Sequence, residues 1–550
     1  MQTRASKKLK QQHPEHPEPR ANENQLVVQD CIFANVPNGV WQIIVDQDML
    51  DVRCVNRASK TAFDNGKKHL ILDSKWGDEI GKIAGRMLAS CRSIETVTIQ
   101  NMTRFEVFGV LNRLGALEEL RAVSFTNLIM GPKTLGYVAS GLASLTGLEA
   151  LDLTLKDVDD KDDKDNSVTA AAIASMLRAL TRLRSLHLNY AVFDPAVAAS
   201  IGRLTSLREL AVGFRTCNSE DDPGVLASAV SQLTDLRKLE LSSHYLSSPR
   251  IMASIAPSLG TSLRTLGLRG IWFDAAIVEY LAGLTSLTVD EHSQDLPLAQ
   301  LRKLTALRTL RLHTQQWTTD GFLCPLSPIS VLSLKWARPT SLLRLMIFTG
   351  LEQLSLSNMC YMDNADWVRL NTVLMRNPGL RSIDLSCVRS MPRIGSTLVA
   401  ETLCSLTLLR TLNLSNNNFR TSVVDLLPPC LTDLDISGNG IDTPAEIFSL
   451  SRITGLRTLR IDNVLEAPSS SLSFVLRNVL PFLSDLRTFS ARENGMTREH
   501  IASLMPAISR LPCLRKLDLS GNEISHDATL RLCREDEGLR NVAVMKSVYD

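Results

Sequence analysis

Nine histidines, eleven cysteines and 58 carboxylates are spread over 550 residues, so any acid–base, metal or thiol chemistry depends on how they are spaced. The histidines fall in no HExxH pattern, no Cys–His zinc spacing and no cluster with carboxylates, so the ligand set of a zinc site is missing. The cysteines at 31, 54, 91, 217, 324, 360, 387, 404, 430, 513 and 533 are odd in number and make no CxxC pair, which fits buried thiols in a reducing compartment. Gly77, Gly81 and Lys82 faintly resemble a phosphate-binding loop, but only three residues part the glycines, and Ile83 stands where Ser or Thr would hold magnesium. No GxSxG elbow or GxGxxG turn follows a strand pattern. Six aspartates between Lys156 and Asn166 invite a calcium reading. A twelve-residue loop starting at Asp157 would need Gly sixth and Glu last, where Asp162 and Val168 stand, so a solvated loop is expected instead. The expectation is a non-enzymatic protein with no metal and no cofactor.

What organises the chain is a repeated unit: an apolar residue, two variable ones, Leu, one variable, then Leu or another apolar. It reads LRSLHL from Leu183, LRELAV from Leu207, LRKLEL from Leu236, LRTLRL from Leu307, LEQLSL from Leu351, LRTLNL from Leu409 and LRKLDL from Leu514. Counting weaker copies such as IETVTI from Ile94 and LRNVAV from Leu539, there are eighteen, with starts 21–35 residues apart. The alternating apolar positions predict a short strand buried on one face. Between strands, stretches such as residues 167–183 place apolar residues three and four apart, as a helix does. One such unit cannot bury its stripe alone, so neighbours must stack. The chain resembles the leucine-rich-repeat family over roughly residues 90–550. The fold expected is therefore an α/β leucine-rich-repeat solenoid, a horseshoe or arc with a parallel β-sheet on its concave face and a small N-terminal helical segment. Asn417, Asn439, Asn494 and Asn522 stand where asparagines of this family bond along the turns, and most earlier units lack them, so the N-terminal half should be less regular. Unequal unit lengths imply an alternation of longer helical and shorter connections.

The organisation expected is a disordered leader over 1–30, a helical segment over 31–66 and a solenoid of about eighteen repeats over 67–550, with HLILDSKW (69–76) as an entry strand. In the second segment Pro37 opens a helix with Val40, Trp41 and Ile44 on its apolar face, and a second helix carries Met49, Val52 and Val55. Val36-Pro37, Asp48-Met49 and Val55-Asn56-Arg57 resemble the order of an F-box. The step from Ile44 to Asp48 is shorter than in that pattern, and Gly39 occupies its commonly acidic position. The resemblance implies that Val36, Pro37, Val40, Trp41, Ile44, Met49, Val52 and Val55 dock the Skp adaptor of a cullin ubiquitin ligase. The alternative is a plain helical cap over the first repeat, as solenoids require. F-box modules joined to leucine-rich repeats occur in eukaryotic ligase adaptors and in effectors of plant-pathogenic bacteria. A polar leader without a signal peptide fits a cytoplasmic protein and equally an effector delivered into a host cytosol.

Sixty basic against 58 acidic residues leave +2, so broad capture of nucleic acid is not expected, and no run of eighteen apolar residues predicts a membrane span. The partner expected is a protein held on the concave face, where residues between the framework leucines point. Tyr190, Arg269, Arg311, His313, Lys335 and Trp336 are the candidate partner-binding residues, since Trp, Tyr and Arg most often anchor interfaces. Later units present a more acidic wall, with Asp433, Asp435 and Asp518, suited to a basic segment. A repeat scaffold with no ligase coupling is the alternative function.

Overall fold

A computed structural model describes residues 69–73 and most of 94–544; the longest internal stretches outside the description after residue 94 are 157–165 and 314–328. The leader, the F-box-like segment and the aspartate-rich loop therefore lie outside the described residues. Within them the expected solenoid is present. Nineteen strands, β1 to β19, form one sheet, and each pairs parallel with the next in sequence, from β1 (His69–Asp73) to β19 (Ala543–Val544). β1 is the expected entry strand, in register with β2 (Thr96–Gln100), His69 opposite Thr96. At ~4.8 Å per strand the sheet runs on the order of 85 Å.

The leucine spacing explains how each strand is entered. Leucines three apart fit turns closed by i→i+3 bonds, in which every third side chain points the same way. Leu117 N–H donates to the Leu114 carbonyl at 3.0 Å and Leu120 to Leu117 at 3.3 Å; Leu145 and Leu148, then Leu483 and Leu486, repeat this. All of these leucines are buried in one continuous core between sheet and helices. The residue before each strand then offers a carbonyl shared by two N–H groups of the next unit: that of Arg184 accepts from Arg208 at 2.7 Å and Glu209 at 3.0 Å. Every unit is thus stitched to its successor before the ladder begins.

Unit length sets the convex side. The 35 residues from Ala150 to Ser185 contain a fourteen-residue α-helix, Asn166–Ala179. The 21 residues from Thr265 to Ser286 hold only the 3₁₀ segment Ala275–Leu281, and among its described residues the next interval holds the 3₁₀ segment Leu298–Lys303. A 3₁₀ turn rises ~2.0 Å per residue against ~1.5 Å in an α-helix, so a short connection spans the same width with fewer residues. This is the alternation of longer and shorter connections that the spacing implies.

The two halves differ. Strands β1 to β11 are five to eight residues long, whereas β12 (Gln353–Ser355) to β18 (Lys516–Asp518) have three each. The change coincides with buried asparagines beyond the strands. Asn417 Oδ1 accepts from Val388 N–H at 2.7 Å, while its Nδ2 donates to the carbonyls of Leu385 and Leu414 at 2.6 and 2.8 Å. Asn439 receives Asn417 N–H at 3.1 Å, and Asn494 and Asn522 form the same ladder further on. All four expected asparagines do this work. Asn377, wholly buried at a helix end, serves similarly by accepting Leu351 N–H at 2.9 Å and donating to Phe348 and Val373 carbonyls.

Candidate partner-binding surface

Four consecutive strands carry four of the six candidate residues, and Trp336 directly follows the last of them: β8 (Thr265–Arg269), β9 (Ser286–Asp290), β10 (Thr309–His313) and β11 (Val331–Lys335). Alternation buries Leu266 and Leu268, Leu287 and Val289, Leu310 and Leu312, Leu332 and Leu334, so the odd strand positions face the concavity. In-register pairing then builds rows across the sheet. The fifth strand positions align Arg269, Asp290, His313 and Lys335, and the third positions align Gly267, Thr288, Arg311 and Ser333.

His313 is the hub of this patch. Its Nδ1 lies 3.5 Å from Asp290 Oδ1, its Nε2 lies 3.5 Å from Ser333 Oγ, and its side chain is only 15% exposed. Burial is the main force holding its pKa below the ordinary histidine value; Asp290 opposes this, and the charges of Lys335 and Arg311 add to it. The ring is therefore neutral at pH 7, oriented by the carboxylate. Asp290, His313 and Ser333 have the residue types of a nucleophilic relay, but the backbone N–H groups of these strands are spent in the parallel ladder. The strands thus offer no free backbone donors to an oxyanion, the part that supplies most of the rate in acyl transfer.

Arg269 is exposed, and Arg311 and Lys335 are half-buried. Trp336 directly follows β11 with φ 56°, its N–H donating to the Ser357 carbonyl at 3.2 Å, and it remains 36% exposed. The equivalent place in other units is taken by Gly270, Asn358, Cys387, Asn416, Gly438, Asn463, Glu493 and Gly521, all at positive φ. Glycine and asparagine tolerate that conformation; a bulky indole is held there against its preference. Tyr190 lies in β5 (Ser185–Ala191), on another part of the wall, and its side chain is outside the described residues. Val36, Pro37, Val40, Trp41, Ile44, Met49, Val52 and Val55 lie outside them altogether.

The acidic wall of the later units is less open than its sequence implies. Asp384, Asn413, Asp435 and Asp518 each accept, through Oδ1, the N–H two residues on, at 3.0–3.1 Å, closing the short strands. Arg460 lies 3.7 Å from Asp435, and Arg492 lies 3.8 Å from Asp518. These carboxylates terminate strands and pair with local arginines, leaving less charge for a basic ligand. Sequence reasoning had no handle on this, because the bonds follow from where each strand stops.

The Leucine Rich Repeat family model matches residues 408–431. Among solved structures the chain is similar to an internalin of Listeria monocytogenes, at 19% identity over 68% of this chain and 88% of that one, TM-score 0.35. It is similar also to a leucine-rich-repeat protein of Leptospira interrogans, at 17% over 85% and 92%, TM-score 0.31. A third likeness is to the mouse RP105/MD-1 complex, at 14% over 78% and 91%, TM-score 0.37. Comparison with curated proteins gives no match in sequence.

Proposed function

We propose that this chain is a non-catalytic recognition protein whose concave wall grips another protein, with strands β8 to β11 and Trp336 at the centre of the grip. The observation that carries this reading is Trp336: a large side chain kept exposed in a backbone conformation that other units mostly fill with glycine or asparagine, beside half-buried cations. An exposed indole held in that strained conformation calls for a compensating use. The test is photo-crosslinking from a benzophenone amino acid placed at 336, compared with one at exposed Tyr137 on the helical side. Discrete protein adducts from 336 alone are expected; equal labelling from both positions overturns the reading.

A finer reading couples this arc to a ubiquitin ligase through residues 31–66, with delivery into a host cell as one setting. Its support is the F-box-like order of Val36-Pro37, Asp48-Met49 and Val55-Asn56-Arg57. The full chain coexpressed with a Skp adaptor should copurify with it, and the Pro37→Ala, Val40→Asp double variant should not. Failure of the wild type leaves a scaffold without ligase coupling.

A further inference from the structure

We propose that Arg311 and Lys335, on adjacent strands at the centre of the wall, form a site for an anionic group on a polypeptide partner, a phosphorylated side chain or paired carboxylates. This deepens the recognition reading and rests on it. The half-buried charges elsewhere on the wall have found partners: Lys238 Nζ lies 2.9 Å from Glu240, and Asp152 accepts from the hydroxyls of Ser124 and Thr154. Arg311 and Lys335, equally half-buried, make no ion pair or hydrogen bond among the described residues. The one carboxylate beside them, Asp290, is turned toward His313.

The geometry lets both cations converge on one ligand. Arg311 sits opposite Ser333, and Lys335 lies two residues further along the same strand, opposite His313. Neighbouring strands ~4.8 Å apart and two residues of rise place their Cα atoms about 8 Å from each other, within joint reach of two long side chains. Arg311 and Lys335 set two cations beside a single carboxylate, Asp290, which is engaged with His313. Cations left without a counter-ion in a partly desolvated wall give up favourable interaction that an incoming anion restores through charge-assisted hydrogen bonds. Ser333 Oγ lies between them; it donates to the neutral His313 Nε2, and protonation of that ring frees its O–H for an anion. Trp336 follows Lys335 at the rim and offers an apolar face to residues flanking the anion.

The groups facing His313 also set a pH signature. Burial, with the charges of Lys335 on β11 and Arg311 on its own strand, keeps the ring neutral in the free wall against the opposing pull of Asp290 on β9; Arg269 stands further along the row. An anion seated between Arg311 and Lys335 favours the imidazolium, so by linkage binding strengthens as the pH is lowered from neutrality through the histidine range.

The test uses the full chain and three nine-residue peptides differing only at the centre: phosphoserine, serine, or a Glu-Glu pair. Fluorescence anisotropy should show the phosphoserine or the Glu-Glu peptide binding at least tenfold tighter than the serine peptide, and which is tighter assigns the source of the anion. Arg311→Ala and Lys335→Ala should each weaken that binding about tenfold, whereas Lys516→Ala, on another part of the wall, should not. The Glu-Glu peptide, which has no group of its own titrating in this range, should bind more tightly at pH 6, and His313→Gln should remove that gain. Equal binding of all three peptides, or anionic binding indifferent to both substitutions, overturns the assignment. So does a single-stranded oligonucleotide that competes more tightly than either anionic peptide. Protein crosslinks from position 336 without anionic-peptide binding overturn the anion site alone; absence of both overturns the recognition reading too.

Discussion

At the scale of single residues, burial and backbone conformation decide more than residue type. Trp336, at φ 56°, adopts the left-handed region, where an L side chain costs roughly 1–2 kcal/mol relative to the right-handed one. Trp336→Gly should therefore leave the thermal midpoint unchanged or raise it, while reducing crosslinkable or peptide-binding contact. A clear fall in the midpoint would show that the indole holds the fold together. Asp462 gives a second check. Burial raises its carboxyl pKa above the usual value, although Ser490 Oγ and Arg492 N–H both bond to Oδ1 at 2.6 and 2.8 Å and oppose that shift. With the folded pKa above the unfolded one, the native state holds the extra proton between the two values, so stability falls as pH rises through that window. Asp462→Asn, which keeps an acceptor, should stabilise the protein at pH 7, and the gain should vanish near pH 3, as chemical denaturation at both pH values would show.

The elements show which parts of this architecture could be read from the chain and which could not. Leucines at fixed spacing announce strands and their buried faces, because period-2 alternation has one outcome on a half-buried sheet. Asn417, Asn439, Asn494 and Asn522 were equally readable, since only an amide can accept from one turn and donate to two others. The shortening of strands after β11 was not. It depends on Oδ1 of Asp384, Asn413 and Asp435 capturing an N–H two residues on, a competition between side chain and ladder that composition does not reveal. Nor was the contact of Asp290 with His313, 23 residues apart, visible before the register put both at the fifth place of adjacent strands. Gly438 tests how tightly the turns are built. A Cβ there would lie 2.1 Å from Asn416 Oδ1 at a φ of +66°, whereas at Gly495, φ +61°, it would meet nothing within 4 Å. Both Ala variants bear the left-handed penalty of about 1 kcal/mol, but Gly438→Ala must also displace Asn416, so its loss in denaturant midpoint should be the larger. Equal losses would mean that Asn416 yields freely.

For the whole molecule, one continuous sheet with a single core hides two halves stabilised differently. In β1 to β11 the strands are five or more residues long, and packed convex helices or 3₁₀ segments back the described connections; in β12 to β18 the ladder is three residues long, and buried amides carry load that backbone pairing carries elsewhere. Stability in a solenoid is close to a sum of units and nearest-neighbour interfaces, so a local defect need not unfold the distant end. Asn417→Ala would strand Val388 N–H and the Leu385 carbonyl in the core, while the Leu414 carbonyl keeps Asn439 Nδ2, a loss of about 2–6 kcal/mol at the ~1–3 kcal/mol typical of each unmet group. Hydrogen exchange followed by mass spectrometry should then show faster exchange from β13 (Ser382–Asp384) to β15 (Asp433–Asp435), with little change from β3 (Ala122–Ile129) to β7 (Lys238–Ser243). Acceleration spread evenly over both halves would make the sheet one cooperative unit, and the concave wall around Arg311 would then be coupled to the asparagine ladder rather than insulated from it.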